Sequence, residues 1–142
     1  MRLVVISVGR LRAPYADDVA HYTKLLSRYV RLEQVELRDP SSRGAGGERI
    51  AARLGERTFV SLLASDGAAY ASAAFAEFIE QRRASGRDLA FVIGPAQGVE
   101  LEHADHRLSL GPATLPHQLA RVVLLEQLYR AHKIIAGEPY HY

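Results

Sequence analysis

Three groups of residues in the last third of the chain have the types and spacing to do chemistry. The first is the loop Gly94-Pro95-Ala96-Gln97-Gly98, which follows the apolar run Phe91-Val92-Ile93. The second is Gly111-Pro112-Ala113-Thr114-Leu115-Pro116-His117, which follows Leu108-Ser109-Leu110. Two strand-like runs that each fall into a Gly/Pro loop, with a helix after the second, point to a ligand held at strand C-termini. The third is the tail Glu138-Pro139-Tyr140-His141-Tyr142. A proline and two aromatics around a histidine make a poor solvated terminus, so the loops and the tail read as one site.

Each group has a plainer reading. The Gly94 loop lacks both the dinucleotide fingerprint G-x-G-x-x-G and the Gly-Lys-Ser/Thr of a phosphate loop; alone, it is a tight turn. Taken together, the backbone N–H and C=O groups of two such loops can frame an adenine edge and a ribose. Neither loop has a charged residue, which fits a nucleoside such as S-adenosylmethionine better than ATP. The six histidines are His21, His103, His106, His117, His132 and His141. His103 and His106 stand three apart without a Cys or a third ligand, so they are expected on a solvated helix and no metal is expected. Ser109 has no nucleophile elbow around it, and no Ser/His/Asp arrangement is legible. Glu126 and Arg130, four apart, can pair on a helix surface; the apolar neighbours of Arg130 favour a role in the site. His141 is set against the usual fate of a chain end, which is fraying.

The elements that must position these residues alternate. Leu3 to Val8 is a continuous β-branched run, as in a strand buried on both faces of a parallel sheet. The basic loop Gly9-Arg10-Leu11-Arg12 follows, and Pro14 opens a helix with Asp17 and Asp18 in its first turn. Tyr22, Leu25, Leu26 and Tyr29 form that helix's inward stripe. A second strand is expected over 33–38, with Val30 and Leu32 out of phase with Val35 and Leu37. A loop over 39–47, a short helix over 48–54 and a third strand over 58–63, closed by Ser65-Asp66-Gly67, come next. Ser72 is the expected N-cap of a helix that carries Phe75, Phe78 and Ile79 and stops at Gly86. Strands over 89–93 and 107–110 bracket a short polar helix expected over 100–105. The pattern is α/β with a mainly parallel sheet and flanking helices.

The last helix, running to about Ile135 and stopped by Gly137, differs from the rest. Leu119, Val122, Val123, Leu124, Leu125, Leu128, Tyr129, Ile134 and Ile135 wrap most of its circumference. A helix apolar nearly all round cannot rest on one sheet with its other side in water. A homodimer face is the expectation.

Composition sets the frame. With 142 residues, 48% hydrophobic and 24% charged, the chain suits one globular domain over 1–142. No apolar run approaches a membrane span, no signal-peptide pattern opens the chain, and there is no Cys. A cytoplasmic protein with no membrane association is expected. Net charge is only +2, but residues 1–57 carry 11 basic against 7 acidic side chains while the remainder carry 7 against 9. Of the 18 basic residues, 16 are Arg, a side chain that grips phosphate oxygens bidentately.

At Phe91-Val92-Ile93-Gly94, Thr114-Leu115-Pro116-His117, the run from Arg121 to Ala131, and Gly137-Glu138-Pro139-Tyr140-His141, the chain resembles the RlmH family of SPOUT-class methyltransferases. These enzymes methylate N3 of a pseudouridine in the 23S rRNA of the large ribosomal subunit. The resemblance spans essentially the whole chain, and its specific part is C-terminal. It implies an α/β fold with a deep C-terminal trefoil knot, a homodimer, S-adenosyl-L-methionine as cofactor, and the ribosome or its 23S rRNA as partner. The cofactor contacts it implies fall on Leu62, Gly94, Leu110, Gly111, Pro112, Ala113, Thr114 and Leu115. Arg130 is then suited to stabilise the charge on the target imide, His141 to take its proton and Tyr140 to stack on the base. The chain departs from the family at Pro95, usually a second Gly, and at Tyr142, usually basic; the region over 39–48 is also shorter. Two readings from other classes remain beside it, a non-catalytic ribosome-associated RNA-binding module and a small nucleotide-binding regulator.

Overall fold

The computed structural model describes residues 1–38, 46–95, 99 and 101–140. The masked positions take with them most of the expected loop over 39–47, residues 96–98 of the first glycine loop, and His141 and Tyr142.

Five strands form one parallel sheet: β1 (Arg2–Val8), β2 (Arg31–Leu37), β3 (Phe59–Ala69), β4 (Leu89–Ile93) and β5 (His106–Ser109), in the order β2-β1-β4-β3-β5. Helices α1 (Tyr15–Leu26), α3 (Ser72–Ser85) and α4 (His117–Ile135) cover one face, and the short α2 (Gly47–Ala51) lies toward the other. The central strands are apolar on both sides because both faces are covered. Leu3, Val5, Leu89, Phe91 and Ile93 face the three helices, while Val4, Ile6, Ala90 and Val92 face Ile50 of α2 and the segment carrying Val99, Leu101 and Ala104. Fully burying each large side chain contributes about 1.5–3 kcal/mol.

This two-faced arrangement explains the phase conflict in β2. Leu32 packs with the helix-side core and Val35 and Leu37 with the opposite one, so both sets belong to one strand with period two.

Four local expectations are corrected. Residues 101–105 form a turn and bend, not a helix; Asp105 instead closes onto β3, its carboxylate accepting the Val60 N–H at 2.8 Å and its own N–H reaching the Val60 carbonyl at 2.9 Å. Ser65-Asp66-Gly67 does not end β3, which runs on to Ala69 through a bulge where its register against β5 shifts between Leu63 and Ala68. Ser72 is the first helical residue, with Ala71 at the cap position; its hydroxyl donates instead to Gln127 of α4 at 2.8 Å. His106 does not sit on a solvated helix. It opens β5, stacked on Phe78 with ring centroids 4.6 Å apart and bonded through its two ring nitrogens to Ser61 and Tyr70. Burial first, and the nearby Arg82 charge second, lower its pKa.

The central place of α4 follows from its composition. It lies on the sheet between α1 and α3, so Leu124, Leu125, Leu128 and Tyr129 are buried within one chain, while Leu119, Val122, Val123 and Ile135 are half-buried and Ile134 is exposed. Apolarity all round therefore does not by itself require a second subunit. Its N-terminal end is fixed by Arg121, buried at 6% exposure, which donates to Gln34 Oε1 at 2.7 and 3.1 Å and to Glu36 Oε1 at 3.0 Å. Its C-terminal end closes in a Schellman turn: Gly137 (φ +68°) donates to Ile134 and Glu138 to Lys133, both at 3.0 Å.

Candidate active site

The C-terminal ends of β4 and β5 and the bulged middle of β3 open into a cleft of about 930 Å³, within the range of small-molecule sites. It is framed almost wholly by backbone and small or aliphatic side chains. Leu62, Gly94, Leu110, Gly111, Ala113, Thr114 and Leu115 all line it, so seven of the eight expected contacts converge from three separate elements. Pro112 is exposed and is not among the lining residues. Pro95 does line the cleft; lacking an N–H, it offers a ligand only its carbonyl and its ring.

Local chemistry shapes both walls. Gly111 sits at φ +129°, a conformation that favours glycine. The Ser109 hydroxyl closes this turn, donating to the Gly111 carbonyl at 3.0 Å and accepting the Gly111 N–H at 3.1 Å. Ser109 is thus a turn former, in keeping with its lack of nucleophile context. At Gly94 a Cβ would lie 2.7 Å from Val99 Cγ1. A side chain there would collide with Val99, so Gly94→Val would disturb the loop as well as block a ligand. His117, at the start of α4, lines the cleft and lies against Gly9 of the basic loop, where a Cβ would stand 3.1 Å from its Nε2.

Three titratable side chains also line the cleft that are not among the expected contacts. Asp66 and Arg107 bring the cleft opposite charges, joined by an Arg107 Nη2 to Asp66 Oδ1 bond of 2.7 Å. The third is His117. In sequence Asp66-Gly67 reads as a turn signal, whereas here Gly67 belongs to a bulge.

A second cluster lies toward the other end of α4. Arg130 donates through Nε to Glu126 Oε1 at 3.0 Å, and its guanidinium stands 4.5 Å from the centroid of the Tyr140 ring. Tyr140 donates its hydroxyl to the same Glu126 oxygen at 3.3 Å and meets Tyr129 edge-on, centroids 5.0 Å apart. The hydrogen bond to Glu126 raises the Arg130 pKa. Burial, reinforced by the Glu126 charge, pushes Tyr140 up to about 12. At neutral pH Arg130 is therefore a fixed cation paired with the Glu126 carboxylate, and Tyr140 a protonated phenol that donates to the same carboxylate. None of Glu126, Arg130 and Tyr140 lines the cleft. From Ala120 at the cleft wall to Arg130 is ten residues of helix, about 15 Å.

Among the described residues no group of three or more His, Cys, Asp or Glu could hold a metal ion, and no helix is long and apolar enough to cross a membrane.

A family model described as "Predicted SPOUT methyltransferase" matches residues 1–141. Curated proteins named "Ribosomal RNA large subunit methyltransferase H" match along their whole length. The one from Anaeromyxobacter sp. (strain Fw109-5) is 44% identical, with 99% of each chain covered. That from Carboxydothermus hydrogenoformans is 40% identical, and that from Streptococcus agalactiae serotype III 39%, each again with 99% of both chains covered.

Proposed function

The chain belongs to the SPOUT methyltransferase family, and on that premise we propose that it transfers a methyl group from S-adenosylmethionine to N3 of a pseudouridine in 23S rRNA. The observation that carries this reading is the cleft: two parallel strands end in backbone-rich turns beside the bulge of a third, around a largely apolar space without a phosphate cradle. Such walls suit an adenosine, which needs backbone donors and acceptors at its edge and apolar faces for its ring. Leu62, Gly94, Leu110, Gly111, Ala113, Thr114 and Leu115 would hold it. S-adenosylmethionine supplies an electrophilic methyl group on a sulfonium, leaving as the neutral thioether.

The rest of the work falls to this chain's residues. The methyl group bonds to N3 as the N3 proton departs, so the site must hold the forming imide anion and accept one proton. Arg130, oriented by Glu126 and Tyr140, would stabilise that anion. Tyr140 would hold its own proton and act as donor or platform, and His141 would take the proton. Most of the rate gain would come from positioning.

Donor and acceptor atoms must meet within about 3–3.5 Å, yet the Arg130 cluster stands about 15 Å along α4 from its own cleft wall. This separation supports a homodimer in which the cluster of one chain completes the cleft of the other. The proposal extends to the C-terminal trefoil knot and to a cytoplasmic home beside the ribosome. The direct test is mass spectrometry of 23S rRNA from a deletion strain before and after incubation with the purified protein and S-adenosylmethionine. A missing methyl group at one pseudouridine that the protein restores supports the reading; unchanged rRNA in both samples defeats it.

A further inference from the structure

The bulge in β3 has a consequence for ligand selection. Between Leu63 and Ala68 the chain leaves its register with β5 and returns. Bulges re-aim side chains near sites, and this one delivers Asp66 to the cleft beside Arg107 of the neighbouring strand. The arrangement depends on Gly67, where a Cβ would stand 2.6 Å from both the carbonyl carbon and the oxygen of Arg107. Glycine lets the two backbones approach closely enough for the side chains to pair.

Asp66 and Arg107 give the cleft one anion and one cation on otherwise apolar, backbone-rich walls. A nucleoside needs neither. A free α-amino-carboxylate group needs both: an anion against its ammonium and a planar, bidentate donor against its carboxylate. The pair is exposed at the rim, with the Asp66 and Arg107 side chains at 75% and 52% exposure. Pairs so exposed add little stability, so separating this one to receive a zwitterion costs little. The hydrogen bond from Arg107, and then its charge, hold the Asp66 carboxyl below the usual range, so it is ionised at neutral pH.

We propose that Asp66 and Arg107 form the subsite for the α-amino-carboxylate end of the methyl donor, with Asp66 taking the ammonium and Arg107 the carboxylate. This deepens the functional reading above and rests on it. The pair then determines specificity: it distinguishes an S-adenosyl amino acid from adenosine, ATP or a shortened thionucleoside.

Isothermal titration calorimetry on the full chain tests this with S-adenosylhomocysteine and with 5′-deoxy-5′-methylthioadenosine, which lacks the amino-acid end. Asp66→Asn and Arg107→Gln are each expected to weaken S-adenosylhomocysteine about tenfold, the scale of a lost charged hydrogen bond. Binding of the shortened nucleoside should stay within about twofold, which also shows that the cleft is folded. The exchanged double variant, Asp66→Arg with Arg107→Asp, re-forms the rim pair in reverse and should not recover affinity. Recovery in that variant, or equal loss for both nucleosides, would mean that the pair only shapes the rim and would overturn the proposal, as would unchanged affinity in both single variants. Failure of the wild-type protein to bind either nucleoside would instead overturn the functional reading on which the proposal stands.

Discussion

His132 is the most deeply buried titratable side chain described, at 2% exposure on the inner side of α4. Its Nδ1 lies 2.7 Å from the Leu128 carbonyl and must donate to it, which leaves the buried Nε2 as an acceptor without a partner among the described residues. Burial lowers its pKa, partly opposed by the bond to Leu128. A histidine whose folded pKa lies below its unfolded value, near 6.5, binds fewer protons folded than unfolded as the pH falls between the two. Its stabilising effect is therefore complete above about pH 6.5 and is lost on acidification, by up to ~1.4 kcal/mol per pH unit. His106 acts with the same sign. Urea unfolding at pH 7.5 and 5.5 should show lower stability in acid, and His132→Gln should reduce the difference; an unchanged difference would exclude His132 as its source. At the same scale, Gly67→Ala should cost about 1–3 kcal/mol in urea unfolding, because the new methyl group meets the backbone of Arg107 rather than a yielding side chain.

The helix that joins the cleft to the Arg130 cluster is held by a polar anchor. Arg121 ties the start of α4 to β2, and Gln34 in turn donates to Thr23 of α1. Arg121→Met keeps the bulk but strands the Gln34 carbonyl, so a loss of about 2 kcal/mol is expected in urea unfolding. Adding Gln34→Leu should cost little further, since the second change removes the stranded acceptor; fully additive losses would show that the two do not act as a unit. The sequence could not show this anchor. Gln34 and Glu36 alternate with Val35 on an edge strand and read as a solvated face, and only the register of β2 against β1 turns them toward α4. The strands themselves were legible because their apolar runs are long and β-branched, and the two glycine loops because each ends such a run. Much of the cleft followed from those two loops. Its charged rim did not, because it needs β3 and β5 side by side, a neighbour relation that no local pattern carries.

At the scale of the whole molecule, the proposed homodimer would pair the face of one chain with the cleft of the other. Leu125 is fully buried within a single chain, so a charge there would unfold the protomer and report nothing about a dimer. Ile134, at 44% exposure, is the large aliphatic residue that α4 leaves outward. Sedimentation at micromolar concentration should show a dimer, and Ile134→Asp should shift it toward monomer without loss of helix; a stable wild-type monomer would rule the dimer out. After the Schellman turn at Gly137 the tail does not run straight on. It folds back so that Tyr140 rests on Arg130 and Tyr129, with Glu138 held by Lys133 and Tyr29. The tail and the end of α4 thus form one preassembled face, remote from the cleft of the same chain. If that face completes the partner's site, two different defects must complement each other in a mixed dimer. Removing residues 138–142 disables the face, while Ala113→Trp fills the cleft from an exposed wall position. Each variant alone should be inactive in methyl transfer. Mixed and re-equilibrated, a heterodimer pairs one intact cleft with one intact face, and a random mixture should regain about a quarter of wild-type activity, since half the dimers are mixed and each has one working site. If heterodimers form and no activity returns, the face serves its own chain, and the 15 Å along α4 must then be closed by a conformational change instead.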